Sequence, residues 1–196
     1  LPYLQDFSGN LPGDVHGWEF HSTGDGRIQI ADGKLRMDDS ANGGTYARNE
    51  AILHVNLTGM PDVELVVDHQ SMNDEIHRYA GDGFVGQVDA DLIALSVDGQ
   101  HWVKLTDLEA SGSGTLFSLN QAIADAETAA NVSDRSDVRI KFQQYDNYAW
   151  GYDGRAFDNI LVNSIRPEPE IELLGNGLVI ADGDTTPDPT DGTAFG

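Results

Sequence analysis

Between Lys141 and Val162 the sequence reads KFQQYDNYAWGYDGRAFDNILV, two strand-like runs around a middle crowded with aromatic rings, amides and carboxylates. Sugar rings stack their apolar CH faces on flat side chains, while amides and carboxylates take the hydroxyls. Tyr and Trp suit recognition in general, because they give a large contact area at little side-chain entropy. Gln144, Tyr145, Asp146, Asn147, Tyr148, Trp150 and Tyr152, with Asp153 after them, offer such a set in one loop. Trp150 is the expected exposed platform, since Tyr145 and Tyr148 could equally fold back as plugs of the core.

Carboxylates are the second resource. Hard cations such as Ca²⁺ take about six to eight oxygens, which loops supply more easily than regular elements. Asp38 and Asp39 end one strand-like run, ahead of a flexible ANGG whose carbonyls can turn inward. Asp6 lies near the start of the chain. Asp158 lies between Phe157 and Ile160, where an unpaired carboxylate would be costly to bury. A second acidic stretch, SMNDEIHRYAGDG (71–83), sets Asn73, Asp74, Glu75 and Asp82 around His77 in a long loop, and long ordered loops in sandwiches are often functional. Asp6, Asp38, Asp39, Asp158, Asp74 and Asp82 are therefore candidate calcium ligands, and His77 joins the candidate ligand-binding residues. The structural alternative stands beside each: turn-forming Asp side chains that accept backbone hydrogen bonds, and a solvated loop. No stretch has EF-hand spacing.

A catalytic reading finds less. Glycoside hydrolases need two carboxylates facing across a groove, and no Glu-x-Asp-x-x-Glu pattern occurs. Nucleophile elbow, phosphate loop and His-rich metal motif are also missing from the sequence. Arg48, Asn49, His54, Gln143 and Tyr148 could be assembled into a lyase-like set, but none stands in a diagnostic spacing. The expectation is a non-enzyme, with a polysaccharide lyase or glycoside hydrolase as the catalytic alternative.

The elements that must position these residues are strands. Period two runs through NEAILHVNL, with Ala51, Leu53, Val55 and Leu57 on one face, and through DVRIKFQQ, with Val138, Ile140 and Phe142 on one face. RIQI (27–30), KLRM (34–37), VELVVDH (63–69), LIALSV (92–97), HWVKL (101–105) and AFDNILV (156–162) also read as strands, punctuated by Gly, Asp and Asn. Many short strands with turns between them predict an all-β fold, a sandwich of two antiparallel sheets. One helix interrupts it at SLNQAIADAETAA, where Ser118 and Gln121 have capping-box spacing. Trp18 and Trp102 read as core. Near Ile165 a Pro-rich RPEPE marks a stiff linker. Residues 1–165 are thus one module, and 166–196 a linker plus the start of a following domain or a tail.

The chain has 196 residues, enough for one domain with a real core. Its formal net charge of −22, from 33 acidic against 11 basic residues, repels nucleic acid and anionic membranes. No apolar run approaches transmembrane length, so membrane insertion is not expected. The absence of cysteine excludes a disulfide framework or zinc–thiolate site and favours a bacterial origin. A start at LPYLQDFSG without Met reads as a processed or excised chain.

Two regions carry a resemblance. GDGRIQIADGKLRMDDSANGGTYARNEAILHVNLTG and SDVRIKFQQYDNYAWGYDGRAFDNILV resemble a repeated module of large secreted proteins from marine and environmental bacteria. The module is similar in outline to MAM-type and other concanavalin-like or galactose-binding-like jelly rolls, and the likeness covers residues 1 to about 165. It implies that the first strand (DFSG) lies beside the last (AFDNILV), so that Asp6 and Asp158 could share one ion. Two departures stand out: FDNI where FDDI is common, and the extra Trp150. The tail GNGLVIADGDTTPDPTDGTAFG resembles the opening of Ig-like repeats in bacterial surface proteins. The resemblance implies a secreted or cell-surface chain with neighbouring domains, and no particular activity. The resulting expectation is a calcium-binding, non-catalytic module with a glycan or polysaccharide partner, or an adhesive role. A structural spacer is the alternative.

Overall fold

The computed structural model describes residues 2–8, 17–164, 174–175 and 178–179. Twelve strands and a helix in the first unit are β1 Tyr3–Gln5, β2 Trp18–Ser22, β3 Gly26–Ala31, β4 Lys34–Asp39, β5 Ala47–Val55, β6 Val63–Ser71, β7 Gly83–Val85, β8 Leu92–Ser96, β9 His101–Asp107, β10 Gly112–Ser118, α1 Asn120–Ala130, β11 Val138–Asp146 and β12 Arg155–Ser164. The first sheet runs β10-β6-β12-β4-β3, with β1 also on β12; the second runs β2-β5-β11-β8-β9-β7. Every pairing between these strands is antiparallel. The architecture is the two-sheet antiparallel sandwich with one helix that the period-two pattern predicts.

First and last strands do lie side by side: Tyr3 faces Val162 and Gln5 faces Ile160. The strand is Tyr3–Gln5, however, and Asp6 to Ser8 follow it. One turn explains how β3 folds onto β4. Asp32 and Gly33 both take positive φ, 52° and 69°, which a two-residue hairpin loop of matching twist requires, and Asp-Gly supplies it at little steric cost.

The inner faces of both sheets close on one core. Ala51, Leu53, Val55 and Leu57 meet Ile140, Phe142, Leu65, Val67, Phe157 and Val162 there. Phe142 and Phe157 touch edge to face with centroids 5.3 Å apart. A second, smaller cluster covers the opposite face of the second sheet, where Ile52, Phe84, Leu92, Ala94 and Trp102 pack together. Trp102 is buried as expected, yet in this outer layer. Trp18 is only half-buried; it donates from Nε1 to the Tyr3 hydroxyl at 2.6 Å and stacks on Phe20.

The helix differs from its sequence reading at its start. α1 begins at Asn120, with Leu119 at the cap position and no side-chain cap, so the Ser118–Gln121 box does not form. Asn120 turns outward instead: its Oδ1 accepts from the Val63 amide at 2.9 Å and its Nδ2 donates to Asp62 at 2.7 Å. Leu119, Ile123 and Ala126 enter the core, as their spacing demands.

The chain divides into two units, Leu1–Ile165 and Arg166–Gly196. In the second, β13 (Leu174–Gly175) pairs antiparallel with β14 (Leu178–Val179). The Pro-rich linker and most of the stretch read as the start of a following domain lie outside the described residues. No described helix is long and apolar enough to cross a membrane.

Candidate functional site

At one end of the sandwich the layer between the sheets turns polar. The inward-facing positions of β11 run Val138, Ile140, Phe142 and then Gln144 and Asp146, while β12 opens with Arg155 ahead of Phe157; all are buried. The loop after β6 brings in Asp74, the residue before β8 supplies Asp91, and the turn before β12 supplies Asp153. Asp74, Asp146 and Asp153 each place a carboxylate oxygen within 4.8 Å of the others, and all three are buried.

Local backbone explains the convergence. Gly154 adopts a φ of +125°, and a Cβ there would meet the Met37 carbonyl at 2.9 Å and the Trp150 ring at 3.1 Å. Only glycine fits, and it turns Asp153 and Arg155 toward the same interior. Asp146 Oδ1 accepts from the amides of Asn147 and Tyr148 at 2.5 and 3.0 Å, which fixes the chain leaving β11. Asp91 accepts from the His77 and Tyr145 amides, at 2.9 and 2.8 Å.

The charge balance is lopsided. Arg155, buried to 1% exposure, pairs through Nε with Asp74 and lies 3.9 Å from Asp91. Among the described residues it is the one buried guanidinium against four buried carboxylates, Asp74, Asp91, Asp146 and Asp153, with the His77 ring 3.3 Å from Asp91. Among the described residues, no donor meets Asp74 Oδ1 or Asp146 Oδ2 in hydrogen-bond geometry. Buried acceptors without donors are costly, and oxygen donors alone define the trio, so the residues fit a hard divalent cation such as Ca²⁺.

Proton affinity tells the same story. Burial first, and then the charge of Asp91, pushes the Asp74 carboxyl up to about 7. Burial raises Asp91 to about 7 against the pull of Arg155. Asp153 rises to about 9 through burial, then a hydrogen bond to Glu75, then the charge of Asp146. Burial also raises Asp146. In metal-free protein these groups hold protons more tightly folded than unfolded, where the ordinary value is about 3.9. Their stabilising contribution is complete below about pH 4 and is lost as pH rises through about 7 and then 9. Chelated protein should therefore melt at steadily lower temperature between about pH 5 and pH 9, measured by thermal scans at constant ionic strength. A flat or rising profile would contradict the buried acid cluster.

Around this cluster lies an aromatic surface. Tyr46 stacks on Tyr145 with centroids 5.0 Å apart, and His77 meets both edge-on at 5.2 Å. The Tyr46 hydroxyl donates to Glu75 at 2.9 Å, and Glu75 also bonds Asp153, so the surface and the acid cluster share a residue. Tyr148 and Tyr152 are exposed, Tyr152 to 70%. Trp150, the expected platform, is instead half-buried beneath the Arg36 guanidinium, 4.5 Å from its ring centroid. Tyr145 is half-buried and does not plug the core. Asn147 stands at the loop entrance, where its carbonyl accepts from the Gly43 amide at 3.0 Å.

Of the other residues singled out from sequence, Asp74 alone of the candidate metal ligands enters the trio; Asp153, read as a ligand contact, lies inside it. Asp38 is held by Arg27 at 2.9 and 2.5 Å and by the Trp150 amide at 2.6 Å. Asp39 accepts from the Ala41 amide at 2.8 Å. Asp6 is exposed and accepts from the Ser8 amide and hydroxyl. Asp82 is exposed. Asp158 is half-buried, with Asp68 opposite it on β6 and Asp6 close enough to help raise its carboxyl, burial being the larger cause. Neither Asp6 nor Asp158 belongs to the buried trio. The lyase-like set disperses: Asn49 bonds Gln144 inside the sandwich, His54 bonds Asp137, and Gln143 bonds the carbonyls of Val88 and Ala90.

Strand pairing and site together define a β-sandwich with a polar end and an aromatic surface beside it. No family model matches the chain, and no curated protein does either. Among solved structures it is similar to a family 29 carbohydrate-binding module from Piromyces equi, at 10% identity and a TM-score of 0.44, over 83% of this chain and 89% of that one. It is also similar to the family 11 carbohydrate-binding module of a cellulosomal cellulase of Clostridium thermocellum, at 13% identity and a TM-score of 0.45, over 84% and 95%. A third likeness is to the enzymatically active domain of tailspike protein 4 of bacteriophage CBA120, at 9% identity and a TM-score of 0.46, over 78% of this chain but 20% of that one.

Proposed function

We propose that the chain is a non-catalytic module that recognises carbohydrate and is locked by a calcium ion, acting outside a bacterial cell within a longer protein. One observation supports the reading above the rest: the exposed Tyr46, stacked on Tyr145, is tied to a buried carboxylate trio through Glu75, which bonds both Tyr46 and Asp153. Asp74, Asp146 and Asp153 would hold the ion. When bound, it supplies positive charge that offsets the acid excess beside Arg155. The protein's own part is to present rings. Tyr46 and Tyr145 stand stacked before any ligand arrives, and Glu75 fixes the Tyr46 hydroxyl, so little side-chain freedom remains to be lost on binding.

A glycan array in calcium-containing buffer, followed by calorimetric titration of the hits, tests this. Tyr46→Ala should weaken a hit by about tenfold, equivalent to about 1.4 kcal/mol. An array on which the unaltered chain retains no saccharide would overturn the carbohydrate reading. A spacer role is the second reading. It is favoured by the burial of all three trio carboxylates, which gives an ion there a structural duty. A calcium-dependent melt with an empty array would select it.

A further inference from the structure

The outer face of the second sheet carries an open groove of about 760 Å³, within the ~300–1,000 Å³ span of ligand clefts. Alternation on β5 and β11 builds it: Ile52 faces Lys141 across the strands, Glu50 faces Gln143, and Arg48 faces Tyr145. His21 of β2, Trp102 of β9 and Gln100 in the turn before β9 complete the lining.

Three of the eleven basic residues line this groove, Arg48, Arg139 and Lys141, yet none offers a free charge. Lys141 Nζ donates to Glu50 at 2.6 Å and lies 4.0 Å over the Trp102 ring. Arg48 donates to Asp89 at 2.8 Å, and Arg139 to Asp137 at 3.0 Å. Lys141 and Glu50 are 2% and 4% exposed. A charged ligand that broke the Lys141–Glu50 pair would strand a buried charge, which is strongly unfavourable. A neutral one need only add hydrogen bonds to these pairs. An extended peptide gains nothing from the backbone, because β5 and β11 are paired on both sides. Recognition must come from side chains that both donate and accept, as hydroxyl-rich ligands require. The lining is also too polar for the apolar ligands that most pockets of this size take.

The groove does not end in isolation. Arg48 lines it and is the register partner of Tyr145, which stacks on Tyr46. We infer that groove and tyrosine surface form one continuous site for an extended neutral oligosaccharide, the tyrosines holding one end and the groove the sugar units that follow. This rests on the carbohydrate reading above.

Calorimetric titration of the full chain with β-1,4-linked disaccharides and hexasaccharides of glucose, mannose and galactose, and with a hexauronate, tests it. At least one neutral hexasaccharide should bind about tenfold more tightly than its disaccharide, and the hexauronate should bind more weakly than that hexasaccharide. His21 and Gln100 are exposed, so the double variant His21→Ala with Gln100→Ala should fold normally. It should weaken the hexasaccharide by about tenfold and leave the disaccharide within about twofold, whereas Tyr46→Ala should weaken both. Affinity independent of length, or a double variant without effect while Tyr46→Ala weakens binding, overturns the continuous site and leaves the carbohydrate reading standing. Tighter binding of the hexauronate overturns the neutral ligand class. If no saccharide binds the unaltered chain, both readings fall.

Discussion

Calcium added to chelated protein should raise the melting temperature by about 8–16 °C once its free concentration is about 1,000 times its dissociation constant. A ligand bound only by the native state stabilises by mass action, which is about 4.1 kcal/mol at that ratio. For a chain of 196 residues each kcal/mol moves the midpoint by roughly 2–4 °C. Magnesium should do far less, since it sheds its waters reluctantly and demands tighter octahedral geometry than loops at a sandwich end readily give. Asp146→Asn is the informative variant. It keeps an oxygen for the Asn147 and Tyr148 amides while removing one charge from the trio, so the fold should persist and most of the calcium shift should vanish. Thermal scans with and without chelator read both results. An unchanged melt, with calcium shown to be absent beforehand, removes the ion from the account.

Replacing Arg155 should do comparable damage by the opposite route. Arg155→Met takes away the buried guanidinium that stands among four buried carboxylates and leaves Asp74 without its ion pair. Breaking a buried pair from one side costs about 3–5 kcal/mol, because the remaining charge stays buried and uncompensated. The melting temperature should fall by about 6–20 °C. The loss should be largest at alkaline pH, where Asp74 and Asp91 must ionise, and should shrink toward about pH 4, where both carry protons. Adding Asp74→Asn to the variant should recover part of the loss, a coupling that a double-mutant cycle measures. Strictly additive effects would mean that the two groups act independently despite their contact.

Much of the sandwich was legible because period two is a local signal. The alternation in NEAILHVNL and DVRIKFQQ shows which side of each strand is apolar, and those sides do meet in the core. β2, β7 and β10 were missed for a physical reason. They are sheet-edge strands, half-exposed or short, and GSGTLFS and GFV carry no clean alternation. The site was legible in pieces. Asp74 and the tyrosine loop stood out by composition, but their partners lie on other strands, and no spacing in the chain encodes a contact between Asp74 and Asp146. One signal was given the wrong role, since Gln144 and Asp146 read as sugar-facing groups of a loop and are instead inward positions of a strand. The inward phase of β11 continues past Phe142 to Gln144 and Asp146, so an apolar face ends in an amide and a carboxylate. Polar residues in a core phase at a strand end announce a buried polar layer. Arg155, one position ahead of a recognised strand, belongs to the same pattern on the other sheet. Asp38 misled because two adjacent carboxylates suggest an ion, whereas its register partner on β3 is Arg27.

The antiparallel pairing of β1 with β12 has a further consequence. Tyr3 sits against Val162, so the start of β1 and the end of β12 share one corner of the first sheet. Arg155 and the acid layer lie at the opposite tip of β12, about seven residues or ~23 Å away. The sandwich is thus polarised along β12, with both strand termini at one pole and the tyrosines that flank the acids at the other.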